Sequence, residues 1–481
     1  MSETTKDTEM EPFTVKNEEI VATGQRAFQE GRCHSLEFRK EQLRQLKKMY
    51  TGHQEEWLQA LKKDLGKPSL EGVLMEIHHL LSDIDHILKR LNQWAKSEEV
   101  PSMVPFDKSI IYNEPYGLVL VLGAWNYPLQ LTMLPVHGAI AAGNAVIVKP
   151  SEVAPATADL IAKLVPQYLH RECYQVVLGG VKETTELLTN RFDYIFFTGS
   201  TGVGKIVRDA ANKHLTPCTL ELGGKSPCFI DESVDLEMAV RRIVWGKLIN
   251  LGQTCIAPDY LMCSKTMQTK FVEKAKEIMR EWYGEHPKDS DSLGRIVAER
   301  HVNRLAALLD SGTVAHGGKY EKDSRWFEPT ILIDVGKDSK IMKEEIFGPI
   351  LPIVTVETPT EAIQYINKGN FPLAVAIFDD KKQYKNLYRQ VFGGNLCNKD
   401  YAMHVFSIKD CEFGQYRKCK IGLQAHRFTY KLEKKRRACN QSKIDLKDKT
   451  IDMDYHRGLL WGESRNGGFG ILILLNLTNS Y

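Results

Sequence analysis

The 481-residue chain holds only ten cysteines, at positions 33, 173, 218, 228, 255, 263, 397, 411, 419 and 439, and no two of them form a C-x-x-C pair. So sparse a set argues against a disulfide scaffold, a zinc ribbon or a thioredoxin-type motif, and fits a reducing compartment. The acidic, polar N-terminus MSETTKDTEMEPFTVKNEE lacks the apolar stretch of a signal peptide. It is also too acidic for a transit peptide, so cytoplasmic placement is the expectation. The apolar run near the C-terminus, Phe469 to Leu477, is about half the length a membrane-crossing helix needs. Charge is nearly balanced, 64 basic against 61 acidic residues for a formal net of +3, which gives no global nucleic-acid signature. There is no repeat at solenoid period. What is present is a globular composition, 43% hydrophobic and 9% aromatic, in a chain long enough for about two to three domains.

Residues 1–14 read as a disordered tail. From Asn17 to Ser97 the pattern is helical. Leu74, Ile77, Leu80, Leu81, Ile84, Ile87, Leu88 and Leu91 follow the three-four spacing of one amphipathic helix. These helices are expected to be a wall with no chemistry of their own. Beyond Ile110 short apolar runs alternate with helical stretches: Leu118–Leu122, Ala145–Val148, Gln175–Leu178 and Tyr194–Phe197, then Cys228–Ile230, Tyr260–Cys263, Thr330–Ile333, Ile350–Val356 and Leu373–Phe378. That alternation predicts two α/β halves, each with a parallel sheet covered on both faces.

Five short segments carry chemistry. The strand-like run Tyr194–Phe197 enters the turn Thr198-Gly199-Ser200-Thr201-Gly202-Val203-Gly204-Lys205 and continues as a helix. Such a turn lets backbone N–H groups approach a pyrophosphate, although a glycine-rich turn after a strand is as often just a tight turn. Gly199-x4-Gly204-Lys205 also approaches a nucleotide-triphosphate loop, but Ile206 stands where the Mg²⁺-binding hydroxyl belongs. Glu221 sits in the apolar run Leu220-Glu221-Leu222 before Gly223-Gly224. A carboxyl in apolar surroundings has its pKa raised toward the range of a general base; the alternative is a strand-end glutamate with a solvated head. Cys255 lies in the loop Gly252-Gln253-Thr254-Cys255, where it is either a nucleophile using its own N–H for an oxyanion or a small inert apolar residue. Asn126 follows the strand Leu118–Leu122 and could donate to an oxyanion. Lys149 ends another strand, with Glu152 three residues on.

Together with Glu344-Glu345-Ile346-Phe347-Gly348-Pro349, these segments resemble the aldehyde dehydrogenase superfamily in order and spacing, over roughly Asn17 to Gly394. Trp125-Asn126-Tyr127-Pro128, Ala141-Ala142-Gly143-Asn144-Ala145, His214-Leu215-Thr216-Pro217 and Ala257-Pro258-Asp259-Tyr260 resemble its class 3 branch, which includes fatty aldehyde dehydrogenase. The resemblance implies an α/β fold with a Rossmann-type NAD(P)-binding domain over 15–221, N-terminal helices included, and a second α/β catalytic domain over 222–394. It implies oxidation of aliphatic medium- or long-chain, or aromatic, aldehydes to carboxylic acids with NAD, NADP being admitted too. Cys255 would form the thiohemiacetal and thioester, Asn126 and the Cys255 N–H the oxyanion hole, and Glu221 would activate water. Lys149 and Glu152 would face the adenosine ribose. Gly199, Ser200, Thr201, Gly202, Val203 and Gly204 would lie by the pyrophosphate, and Glu345 would bind the nicotinamide ribose with Phe347 beside it. A homodimer with no nucleic-acid partner is implied.

The resemblance changes after Gly394, so 395–481 read as a divergent C-terminal segment. Where the family has a glycine-rich loop, this chain has Phe413-Gly414-Gln415-Tyr416-Arg417-Lys418-Cys419-Lys420-Ile421-Gly422, flanked by family-like Met403-His404 and Phe428-Thr429-Tyr430. The second reading is therefore a nucleotide-binding chain of the same fold with impaired catalysis. Between Gln415 and His456 there are twelve Lys/Arg and five Asp/Glu. This basic stretch, with the terminal apolar run, suggests weak membrane association.

Overall fold

The computed structural model describes residues 17–102, 107–369, 372–378, 395–398 and 434–442. The N-terminal tail, the rewritten loop 413–422 and its flanks, and the terminal apolar run lie outside the described residues.

Leu118–Leu122 and Ala145–Lys149 are buried at every position. A strand with no solvent face must be covered on both sides, which suits a parallel sheet flanked by helices. They form the centre of a five-stranded parallel sheet in the order Tyr174–Val176, Ala145–Lys149, Leu118–Leu122, Tyr194–Gly199, Cys218–Leu222. The register sets Leu122 beside both Lys149 and Phe197, and Thr198 beside Glu221. The carboxyl ends of four strands thus line up along one edge, where ligands of such sheets bind. Among the described residues the second sheet has seven strands, ordered Thr313–His316, Thr330–Ile333, Ile350–Thr355, Tyr260–Cys263, Pro227–Ile230, Ala374–Phe378, Asn395–Asn398. Its pairs are parallel except the first, which is antiparallel. A separate small unit contains Glu98–Val100 antiparallel to the strand that follows it.

The N-terminal helices depart from the expected single stripe. Residues Gly72–Ile77 form a wide π-helical turn that runs into the helix His78–Trp94. An i→i+5 turn takes in one extra residue and shifts the buried face. Leu74 is turned outward, and Met75, Glu76 and Ile77 are turned in.

Candidate active site

Cys255 stands in the loop between the helix Leu236–Leu248 and the strand Tyr260–Cys263, and its side chain is half-buried. Asn250, Leu251 and Gly252 all hold positive φ, at 51°, 53° and 74°. A non-glycine residue there costs of order 1–3 kcal/mol and persists only where its surroundings enforce it. Here they do. The Gln253 amide donates to the carbonyls of Asn250 (3.1 Å) and Arg295 (3.0 Å), while its oxygen accepts from Val297 N–H (2.9 Å). Glycine is needed at 252 because a Cβ would run into the Gly348 carbonyl of the neighbouring loop.

Asn126 is buried just beyond the strand Leu118–Leu122, and its Nδ2 donates to the Gln253 carbonyl at 3.0 Å. A carbonyl can only accept, so this bond fixes which end of the amide faces the loop and leaves the second N–H without a partner among the described residues. Glu221 is 4% exposed, not solvated, and among the described residues neither carboxylate oxygen has a hydrogen-bond partner. Burial raises it to about 8. The Cys255 thiol is pushed up to about 12, by burial first and then by the charges of Glu345 and Glu221. The N–H groups of Cys255 and Ile256 oppose that rise.

The loop carrying Glu345 and Phe347 is held from two sides. Arg304 donates to the Ile346 carbonyl (2.6 Å) and Asp259 accepts from Ile346 N–H (2.9 Å). Burial raises Glu345 to about 8; Asp259 adds to the rise, and Gly224 N–H, Lys225 and Lys247 oppose it. Gly223 packs so closely on this carboxylate that a side chain there would displace it. Phe347, at φ 50°, meets Trp125 edge-on with ring centroids 5.2 Å apart.

At the other end of the site Ser200 caps the helix Thr201–Asn212 through Val203 N–H (3.4 Å), and Gly204 packs on Leu222. A Cβ at Gly202 would meet nothing within 4 Å. The helix N-terminus therefore opens on free space, with N–H groups available to an anion. Lys149 is buried and donates to the partly exposed Glu152 at 2.7 Å. Burial tends to raise Glu152, but the hydrogen bond from Lys149, with lesser contributions, holds it below the usual carboxylate range. An open helix terminus, a carboxylate–ammonium pair at another strand end and the Glu345 carboxylate against Gly223 together fit an adenine–nicotinamide dinucleotide.

The helices assigned no chemistry supply charged groups to this site. Lys67 and Glu76 form a fully buried ion pair. Glu76 also accepts from the N–H groups of Leu129 (2.9 Å) and Gln130 (3.1 Å). Lys67 Nζ donates to the Asn126 carbonyl (3.3 Å) and stands 4.1 Å from the Tyr127 ring centroid. Glu71, raised to about 7 by burial, accepts from Asn250 N–H (2.9 Å). A charge at position 76 inside Val73-Leu74-Met75-Glu76-Ile77 was the visible signal, but nothing in the sequence connects it with residues more than fifty positions away.

Residues 14–434 match the aldehyde dehydrogenase family. The chain is 46% identical over 424 residues to the dimeric NADP-preferring aldehyde dehydrogenase of Rattus norvegicus, covering 88% of this chain and 93% of that one. It is 45% identical over 416 residues to aldehyde dehydrogenase family 3 member A2 of Mus musculus, covering 86% of each. Among solved structures it is similar to substrate-bound AldH of Staphylococcus aureus, with a TM-score of 0.85 and 36% identity over 90% of this chain and 95% of that one.

Proposed function

The chain belongs to the aldehyde dehydrogenase family and oxidises aldehydes to carboxylic acids with NAD(P)⁺; on that premise we propose that Cys255 is the nucleophile, Glu221 the base for water, and Asn126 with the Cys255 N–H the oxyanion site. One observation carries this assignment. Glu221 is a buried carboxyl with no partner among the described residues for either oxygen, and its charge bears on the half-buried Cys255 thiol. A structural glutamate so deeply buried would be paired.

With its pKa near 12 the thiol is protonated at neutral pH, so its proton passes to solvent as the sulfur attacks. Glu221 and Glu345 are the carboxylates whose charge reaches the sulfur. The sulfur bonds to the aldehyde carbon, and the carbonyl electron pair moves onto oxygen. The free N–H of Asn126 and the Cys255 N–H receive that oxyanion. The nicotinamide ring, when bound, supplies the hydride acceptor that leaves Cys255 as a thioester. Glu221 then takes a proton from water, whose oxygen adds to the thioester carbon and expels the Cys255 thiolate with release of the acid. Lys149 and Glu152 would hold the adenosine ribose, the Gly199–Gly204 turn the pyrophosphate, and Glu345 the nicotinamide ribose with Phe347 against it. The carboxylate of Glu152 suits ribose hydroxyls and Lys149 suits a 2′-phosphate, so the pair accommodates both cofactors. Asn126→Ala tests the oxyanion assignment directly. It is expected to lower kcat by roughly 10²–10³-fold with nucleotide Kd unchanged; a loss below tenfold would leave the N–H of Cys255 as the working donor and remove Asn126 from the assignment.

The aldehyde chain would lie against Met75, Tyr127 and Ile249, an apolar cluster joined by Leu131 and Trp245. Tyr127 reaches the nucleophile loop through Thr254 at 2.9 Å. That lining favours medium- or long-chain aliphatic and aromatic aldehydes. A cytoplasmic setting is supported by free thiols at Cys33, Cys173, Cys218, Cys228, Cys255 and Cys263. A homodimer is supported by relatives whose name includes "dimeric", and weak membrane contact by the basic and apolar runs near the C-terminus. Among the described residues no helix is long and apolar enough to cross a membrane. Both proposals are tested on the full chain and on a chain ending at Tyr430. Light scattering of the full chain should report twice 54.7 kDa, and only the full chain should co-sediment with anionic vesicles. A monomer removes the first proposal; equal behaviour of the two chains with vesicles removes the second.

A further inference from the structure

The Asn126 backbone carbonyl is gripped twice. Lys67 Nζ reaches it at 3.3 Å and Asn250 Nδ2 at 2.7 Å. Both grips are tied back to the N-terminal helices. Lys67 is paired with Glu76, which caps the chain at Leu129 and Gln130, just beyond Asn126 and Tyr127. Asn250 is held through its own N–H by Glu71. Asn250 also donates to the Gln253 carbonyl at 3.1 Å, the same oxygen that orients the Asn126 side chain. The amide and the nucleophile loop therefore share one set of anchors.

A buried ion pair is weak evidence for stability, because desolvation offsets most of its attraction. Its usefulness lies in geometry. Lys67 and Glu76 are both completely buried, and beyond each other their bonds go to the segment 126–130. We propose that Lys67 is a positioning residue for aldehyde oxidation: paired with Glu76, it fixes the Asn126 backbone so that the side-chain amide meets the oxyanion on the Cys255 substrate carbon. This rests on the reading of Asn126 as the oxyanion donor.

The test is a double-mutant cycle read by kcat and by the rate of the first NADH burst. Lys67→Met is combined with Glu76→Gln, which leaves no unpaired charge and keeps an oxygen to accept from Leu129 and Gln130. In the Asn126 background this pair is expected to lower both rates by roughly ten- to a hundredfold, with nucleotide Kd and aldehyde KM within about threefold. In the Asn126→Ala background the same pair should cost less than about threefold, because the group it positions is gone. Equal losses in the two backgrounds would mean a general structural role and overturn the proposal, as would full activity of the Lys67→Met/Glu76→Gln variant. If Asn126→Ala alone costs nothing, the oxyanion reading fails and this inference falls with it. Should that variant not fold, Lys67→Gln with Glu76→Gln keeps a polar, uncharged pair but shortens the reach to the Asn126 carbonyl; it must show the same background-dependent loss.

Discussion

Cys255→Ala is expected to lower aldehyde turnover by roughly 10⁴-fold or more, because the substrate carbon then has no sulfur to bond and the reaction loses its covalent route. Nucleotide affinity should be unchanged, since the open helix terminus at Ser200–Gly204 and the Lys149–Glu152 pair belong to other strand ends. The melting temperature should move little, because the side chain is half-buried and small. Steady-state NADH formation, cofactor titration and thermal unfolding on the same preparation separate these outcomes. Turnover within tenfold of the parent chain would exclude Cys255 as the nucleophile, whatever the binding data showed.

Glu221→Gln should separate the two halves of the reaction. Hydride leaves before Glu221 acts on water, so one NADH per site should still appear in a burst. Steady turnover should then fall by roughly 10²–10⁴-fold, the usual worth of a general base. The parent chain should also carry the signature of a raised carboxyl. Glu221 must be ionised to accept the proton, and burial places it at about 8. Where deacylation limits the rate, kcat should therefore rise about tenfold per pH unit below that value and flatten above it. In the glutamine variant this limb should vanish. Loss of the burst together with the steady rate would mean that Glu221 serves thiol attack instead, while retention of both would remove it from the mechanism.

Much of this site is visible as local pattern. The apolar runs at Leu118–Leu122, Tyr260–Cys263 and Thr330–Ile333 fold as the strands expected, because a strand buried on both faces has little composition to choose from. Gly199–Gly204, Cys255 and Glu344–Pro349 lie in segments whose residue order already carries their resemblance. The misreading fell at Gly72–Ile77, where one extra residue in a helical turn moved Leu74 outward and Glu76 inward. A regular three-four spacing cannot report such a turn.

Other features belong only to the packed chain. Glu221 could be read from sequence as either a base or a solvated strand end, and its burial removes the solvated strand end. The orientation of Asn126 depends on a carbonyl 127 residues away, and its backbone on a lysine 59 residues before it. The raised values of Glu221, Glu345 and Cys255 come first from the removal of water. Sequence alone determined which residue types stand at the strand ends and loop turns, since covalent spacing and local hydrogen bonding act within a few positions. Tertiary structure decided which of them lose their solvent and which distant side chains hold them, because desolvation and long-range hydrogen bonding exist only once the sheets and the N-terminal helices close around the site.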